Sequence, residues 1–171
     1  MPKIKTIGTL HDLLIHDLRK ILDGEDLIIS LLPDWRKKIK SSRLKLVLEQ
    51  YVAYLQYHVD GIEKFFERKK LMSLRVRNNL VRAFIDEVNE GLNECSDSEI
   101  ADALLISGLQ EIIHYKISAY GTISAFAATL DLDISANEFY SNVKDEKEID
   151  SKLSFLAEKE INPLARSPIV D

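Results

Sequence analysis

A single cysteine, Cys95, in 171 residues leaves no intramolecular disulfide to brace the fold, and no histidine pattern near it points to thiol or metal chemistry. Prolines number four and glycines six, mostly at the ends of apolar-patterned segments, and nowhere does the chain alternate apolar with polar residues as a strand would. No uninterrupted apolar run approaches about 18 residues, which argues against a membrane span. The start, Met-Pro-Lys-Ile-Lys-Thr-Ile-Gly, lacks the apolar core of a signal peptide, so a cytoplasmic protein is expected. A basic excess is missing too: 23 lysines and arginines face 28 acidic residues, for a net charge of −5, which argues against nucleic acid as a main partner. The clusters Arg36-Lys37-Lys38-Ile39-Lys40 and Arg68-Lys69-Lys70 read as solvated helix ends that complement the helix dipole. Internal repeats and low-complexity tracts are absent.

What is present is helical spacing almost throughout. Hydrophobic residues make up 46% of the chain, enough for one good core, and the length fits one domain over residues 1–161. Thr9 with Asp12 forms a capping box for a first helix that should run to Leu32, where Pro33 stops it. A second begins near Ser41 or Ser42 and reaches about Lys70, with the stripe Leu44, Leu48, Tyr51, Leu55, His58, Ile62, Phe65. A shorter connecting segment, about Val76 to Asn93, is followed by a helix capped by Ser96 and Glu99 that continues to about Leu130. The last, capped by Ser135 and Glu138, runs to about Ile161. Residues 162–171, twice broken by proline, are expected to form a poorly ordered tail. Helices this long predict an all-α fold, an antiparallel four-helix bundle with an additional short crossover helix.

Each long helix interrupts its apolar stripe with an ionisable residue near mid-length: Glu25, His58, Lys116, and the pair Glu146 and Asp150. For any one of them the plainer reading is a charge leaning to the rim. Four at similar depth would meet in the core of an antiparallel bundle. Lys116 is the most demanding, because its face otherwise carries Leu105, Leu109, Ile112, Ala119, Ile123 and Phe126. A buried ammonium without anions costs several kcal/mol or loses its proton. Carboxylates and an imidazole inside a bundle also suit iron, manganese or zinc. The usual dimetal bundle, however, needs Glu-x-x-His on two helices, and no such pattern lies on a core face of this chain.

The segment Gln110-Glu-Ile-Ile-His-Tyr-Lys-Ile-Ser-Ala-Tyr-Gly-Thr-Ile123 resembles the Gln-x-x-Glu-His-Tyr-Glu-Ile-x-x-Tyr-Gly-Thr-Leu signature of the YciE/YciF-type ferritin-like proteins, a bacterial family mostly without assigned function. Leu22-Asp-Gly-Glu25 with Leu31-Leu-Pro33, Ile85-Asp-Glu-Val-Asn-Glu90 and Asp145-Glu-Lys-Glu-Ile-Asp150 extend the likeness over most of the chain. The resemblance implies a ferritin-like bundle and places the family's dimetal ligands on Glu25, His58, Glu146 and Asp150. It also exposes departures. Ile113 and Lys116 stand where the signature has glutamates, and the second-helix carboxylate position falls on Tyr54; His114 and Tyr115 remain.

Two metals beside a charged Lys116 would place like charges together, at a cost of several kcal/mol even with an effective dielectric near 20. The leading expectation is therefore a degenerate ferritin-like bundle with no cofactor, a non-catalytic structural, stress-related or interaction protein. In it Lys116 replaces the metal charge within a buried network of Tyr54, Glu25, Glu146 and Asp150, and His58 supplies hydrogen bonds. The alternative is a single cation of iron, manganese or zinc at Glu25, His58, Glu146 and Asp150, handling iron or peroxide. A binding groove around Tyr51, Tyr54, Tyr57 and Tyr120 is a third expectation. Phe65, Phe66 and Phe126 point to a homodimer.

Overall fold

The computed structural model describes residues 6–166, and every regular element among them is helical. Helix α1 spans Leu10–Lys38, α2 Ser42–Arg68, α3 Asn79–Glu94, α4 Ser98–Thr129 and α5 Asp133–Leu156. A π turn, Ala157–Ile161, then leads into the short α6, Asn162–Ala165. The chain thus stays helical past 161, where the sequence predicted the tail to begin; residues 167–171 lie outside the described residues.

Two apolar clusters fill the bundle end to end. One collects Leu14, Leu18, Ile21, Leu22, Ile62, Phe65, Phe66, Tyr120, Ile123, Phe139 and Val143. The other collects Ile28, Leu32, Trp35, Leu44, Leu48, Leu55, Leu105, Leu109, Ile112, Ile149 and Leu153. Helices α1 and α5 run from the first cluster to the second, while α2 and α4 run back. α1 packs along α2 and α4 along α5, and α1·α4 and α2·α5 close the ring, so every neighbour in it is antiparallel. After α2 the chain must return to the far end before α4 can start. The connection through α3 does this, packing outside on α1 and α4.

Local chemistry explains most boundaries. Thr9 accepts from Asp12 N at 3.0 Å, as the capping box predicts, and Ser41 accepts from Leu44 N. Helices α2 and α4 both end with a residue at positive φ, Lys70 and Asp131, after which Leu71 N reaches Phe66 O and Leu132 N reaches Ala127 O. That pairing satisfies carbonyls of the last turn. At the opposite end of the bundle the buried Asp102 of α4 accepts from the backbone N–H groups of Lys40 and Ser41, pinning the α1–α2 turn.

Three sequence-predicted boundaries are corrected. Pro33 does not stop α1. The helix continues through it to Lys38, because the next turns bury Trp35 and Ile39 and the Trp35 indole donates to Asn89 Oδ1 at 2.7 Å, which offsets the lost backbone bond. The cap of α4 is Asp97, whose carboxylate accepts from Ile100 N, and not Ser96. Helix α5 starts at Asp133 without a side-chain cap; Ser135 is buried inside its first turn, and Glu138 pairs with Arg68 instead.

A buried polar layer at mid-bundle

Between the two apolar clusters lies one polar layer, supplied by all four long helices. α1 gives Glu25, α2 gives Tyr51 and His58, α4 gives Lys116 and Tyr120, and α5 gives Glu146; each of the six is fully buried. The spacings make this geometry natural. Seven residues carry a helix almost twice round, so Tyr51 and His58 share a face, and Lys116 and Tyr120 sit one turn apart.

Lys116 is the hub. Its Nζ donates to Glu146 Oε1 at 2.5 Å and to the Tyr51 hydroxyl at 3.1 Å, and lies 2.9 Å from Glu25 Oε2. The Tyr51 hydroxyl donates to Glu146 Oε2 at 2.9 Å, and the Tyr120 hydroxyl to Glu25 Oε1 at 2.5 Å. The contact to Glu25 Oε2 is electrostatic, since the angle leaves that oxygen without a hydrogen bond. His58 turns Nδ1 toward both carboxylates, 3.5 Å from Glu25 Oε1 and 3.6 Å from Glu146 Oε1, distances too long to satisfy the nitrogen. Its Nε2 lies 3.1 Å from Asp145 Oδ2, on the half-buried rim of α5. His58 therefore connects the rim to the interior.

The two buried carboxyls are pushed apart. Burial raises Glu25, but the Lys116 ammonium, followed by His58 and the Tyr120 hydroxyl, outweighs it and holds the group below its ordinary value. Burial also raises Glu146, and with the neighbouring Glu25 charge it prevails over the pull of Lys116 and His58. One ammonium facing two carboxylates cannot neutralise both, and the pair behaves as a coupled acid. Burial and the adjacent carboxylates push both tyrosines well above the usual phenol range, so they act as hydrogen-bond donors.

Of the residues singled out in the sequence, Glu25, His58, Lys116 and Glu146 meet in this layer. Asp150 does not. Four residues beyond Glu146 the helix has turned by roughly 40°, and Asp150 faces the α4–α5 seam, where it accepts from Gln110 Nε2 at 2.9 Å and lies 3.2 Å from His114 Nε2. Tyr54 is likewise outside, bonded to Glu148 Oε2 and Gln50 on the α2–α5 surface; Tyr51 takes the part assigned to it. Tyr51 and Tyr120, expected in a binding groove, and Asp145 were missed as partners of the ionisable residues, although Tyr120 four residues after Lys116 was a usable signal. The tyrosines form no common groove, since Tyr51 and Tyr120 are enclosed while Tyr57 is exposed. Phe65 and Phe66 belong to the chain's own core and cannot line an interface.

Among the described residues one group could offer a cation three ligands, Glu25, His58 and Glu146, whose ligand atoms lie within 4.8 Å of one another. Two carboxylates and an imidazole are suitable chemistry for a transition metal. The ammonium competes for the same oxygens. A cation bonded to Glu146 Oε1 at about 2.1 Å would sit within about 5 Å of Nζ, and a divalent–monovalent repulsion at such range costs about 7 kcal/mol at an effective dielectric near 20. Two cations fit still less, with three ligating side chains to hold them. The residues as they stand suit an ammonium better than a dimetal centre.

Residues 9–165 match the model of a family described as a domain of unknown function, DUF892. Protein YciF of Escherichia coli strain K12 is 24% identical over 160 residues, spanning 93% of this chain and 96% of that protein. The crystal structure of the E. coli stress protein YciF superposes with a TM-score of 0.86 at 25% identity, covering 91% of this chain and 99% of that one. YcfI of Rhodopseudomonas palustris, whose description proposes a structural role, gives a TM-score of 0.85 at 27% identity, covering 88% of this chain and 96% of its own.

Proposed function

From the premise that this chain belongs to the DUF892 family, we propose that it is a ferritin-like bundle without a working dimetal centre, a non-catalytic structural or stress-related protein in which Lys116 carries the charge a metal would supply. The observation that carries this reading is the position of Nζ, 2.5 Å from Glu146 and 2.9 Å from Glu25, between the carboxylates that a cation would need. The descriptions of YciF as a stress protein and of YcfI as a proposed structural one agree with it. Elemental analysis of the native protein, with an assay for oxidation of ferrous ion by dioxygen or peroxide, tests the reading. We expect no stoichiometric metal and no oxidation; two irons per chain with turnover would sink it.

A second reading keeps one cation, because Glu25 Oε2 and His58 Nδ1 are buried without hydrogen-bond partners and lie in the three-ligand group. It requires Lys116 to withdraw or be neutral. Anaerobic reconstitution with ferrous iron, manganese and zinc decides, and uptake of one equivalent would favour it. Lys116→Glu should acquire metal that the parent lacks. A cytoplasmic homodimer remains the expected assembly, for which the exposed Leu71, Met72, Leu74 and Leu80 of the crossover offer an apolar surface; sedimentation of the purified protein tests it.

A further inference from the structure

We propose that Lys116 and Glu146 can condense into an isopeptide bond, a covalent tie between α4 and α5 formed without any added reagent. The proposal rests on the reading that no metal occupies the layer. Five groups stand where this reaction needs them. Lys116 Nζ, the nucleophile, is 2.5 Å from Glu146 Oε1. Glu25 Oε2, 2.9 Å from the same nitrogen, is a carboxylate oxygen with no hydrogen bond of its own and so is free to take an ammonium proton. The Tyr51 hydroxyl donates to Glu146 Oε2 at 2.9 Å, where charge develops as the carboxyl carbon becomes tetrahedral. His58 Nδ1, the other unsatisfied buried atom near the pair, faces the departing Oε1 from 3.6 Å.

The atoms balance. Glu146 Oε1, hydrogen-bonded to Nζ at 2.5 Å on the carboxyl that burial holds above its ordinary value, takes one proton from the ammonium and frees the Nζ lone pair. Nζ bonds to the Glu146 carboxyl carbon, and the nitrogen, now acidic, passes a second proton to Glu25. The bond from that carbon to Oε1 breaks, and Oε1 leaves as water with two of the three ammonium protons, the first already on it and the second delivered from Glu25 across His58 Nδ1. One proton stays on the amide nitrogen, and nothing is oxidised or reduced.

The surroundings favour the product. In water an amine and a carboxylate remain ions because both are well solvated, whereas here both are fully buried, with Leu55, Ile112, Ile113 and Ile149 on one side and Leu22, Ile62, Ile123 and Val143 on the other. Removing one positive and one negative charge from such a place relieves their desolvation penalty. The amide keeps a carbonyl for Tyr51 and an N–H for Glu25. Proximity supplies the remainder, since reacting groups held in contact gain the effective concentration of an intramolecular reaction.

The test is the intact mass of the purified full chain after denaturation, with metal content measured on the same sample. We expect a mass lower than that of the sequence by one water, tandem mass spectrometry of a digest placing the bond between Lys116 and Glu146, and no metal. Lys116→Arg should show the full mass and Glu25→Gln a much smaller condensed fraction. A succinimide at Asp23-Gly24 or Asp60-Gly61 would lose the same mass, but it would persist in Lys116→Arg and map elsewhere. That result, or a full mass in the parent after prolonged incubation, overturns the proposal. A full mass without metal leaves the ion-paired reading of the layer standing; a full mass with stoichiometric metal overturns both.

Discussion

The same three residue types build two networks at the α2–α5 contact of this bundle, one inside and one outside. In the interior, Tyr51 donates to Glu146 at 2.9 Å and Lys116 to the same carboxylate at 2.5 Å. At the surface, Tyr54 donates to Glu148 at 2.9 Å and Lys152 to it at 2.6 Å. The distances are nearly identical and the energetics are not. Water solvates every member of the outer set, so its worth is what exposed ion pairs usually yield, under about 1 kcal/mol. The inner set has no solvent to fall back on. Each partner there is required because the others are already dehydrated, and a contact list read without burial would miss the difference.

Four measurements would break or sharpen that contrast. The largest effect is expected from Lys116→Met, which strands Glu25 and Glu146 together and should cost roughly 3 to 5 kcal/mol in urea unfolding near neutral pH. A loss under about 1 kcal/mol would mean that the inner layer behaves like the outer one. Tyr51→Phe removes a donor from a buried carboxylate and should cost about 1 to 3 kcal/mol, while Tyr54→Phe should fall within about 0.5 kcal/mol of the parent.

The third measurement is the pH dependence of stability while Lys116 and Glu146 remain ionic. Glu146, held above its ordinary value of 4.5, contributes stability that is complete below 4.5 and lost as pH rises through its folded value. Glu25, held below 4.5, contributes stability present above that pH and lost as pH falls through its folded value. The two limbs oppose each other, and Glu146→Gln should erase the alkaline one. Condensation to the amide would erase it in the parent as well. The smallest effect is expected from Lys152→Ala, less than about 1 kcal/mol and vanishing in high salt.

Much of this was legible in the sequence. The stripes of α1, α2 and α4 named the core, and the odd residues within them, Glu25, His58 and Lys116, named the layer. What failed were rotations of a fraction of a turn. Asp150 and Tyr54 lie within four residues of true members, yet roughly 40° to 60° round a helix is the distance between the core and a seam. Tyr51 was hidden by its own amphipathy, since a tyrosine in an apolar stripe reads as ring and not as hydroxyl. Pro33 misled because its local cost is visible in the sequence, whereas the burial of Trp35 that offsets it is a tertiary fact.

The buried Asn78, which caps α3, settles a question the polar layer cannot settle for itself. Its side-chain oxygen accepts from Val81 N, its amide nitrogen donates to Lys20 O of α1 and to the Tyr115 hydroxyl of α4, and its own N–H reaches Asp23. Both helices are thus gauged against one fixed peg. A slip of α1 along α4 by a single residue, about 1.5 Å, would pull Lys20 or Tyr115 off that peg as well as drawing Glu25 away from Lys116. The crossover therefore works as a ruler, held at Tyr115, one residue before Lys116, and at Asp23, two before Glu25, so that a single residue at the edge registers the alignment of charges at the centre.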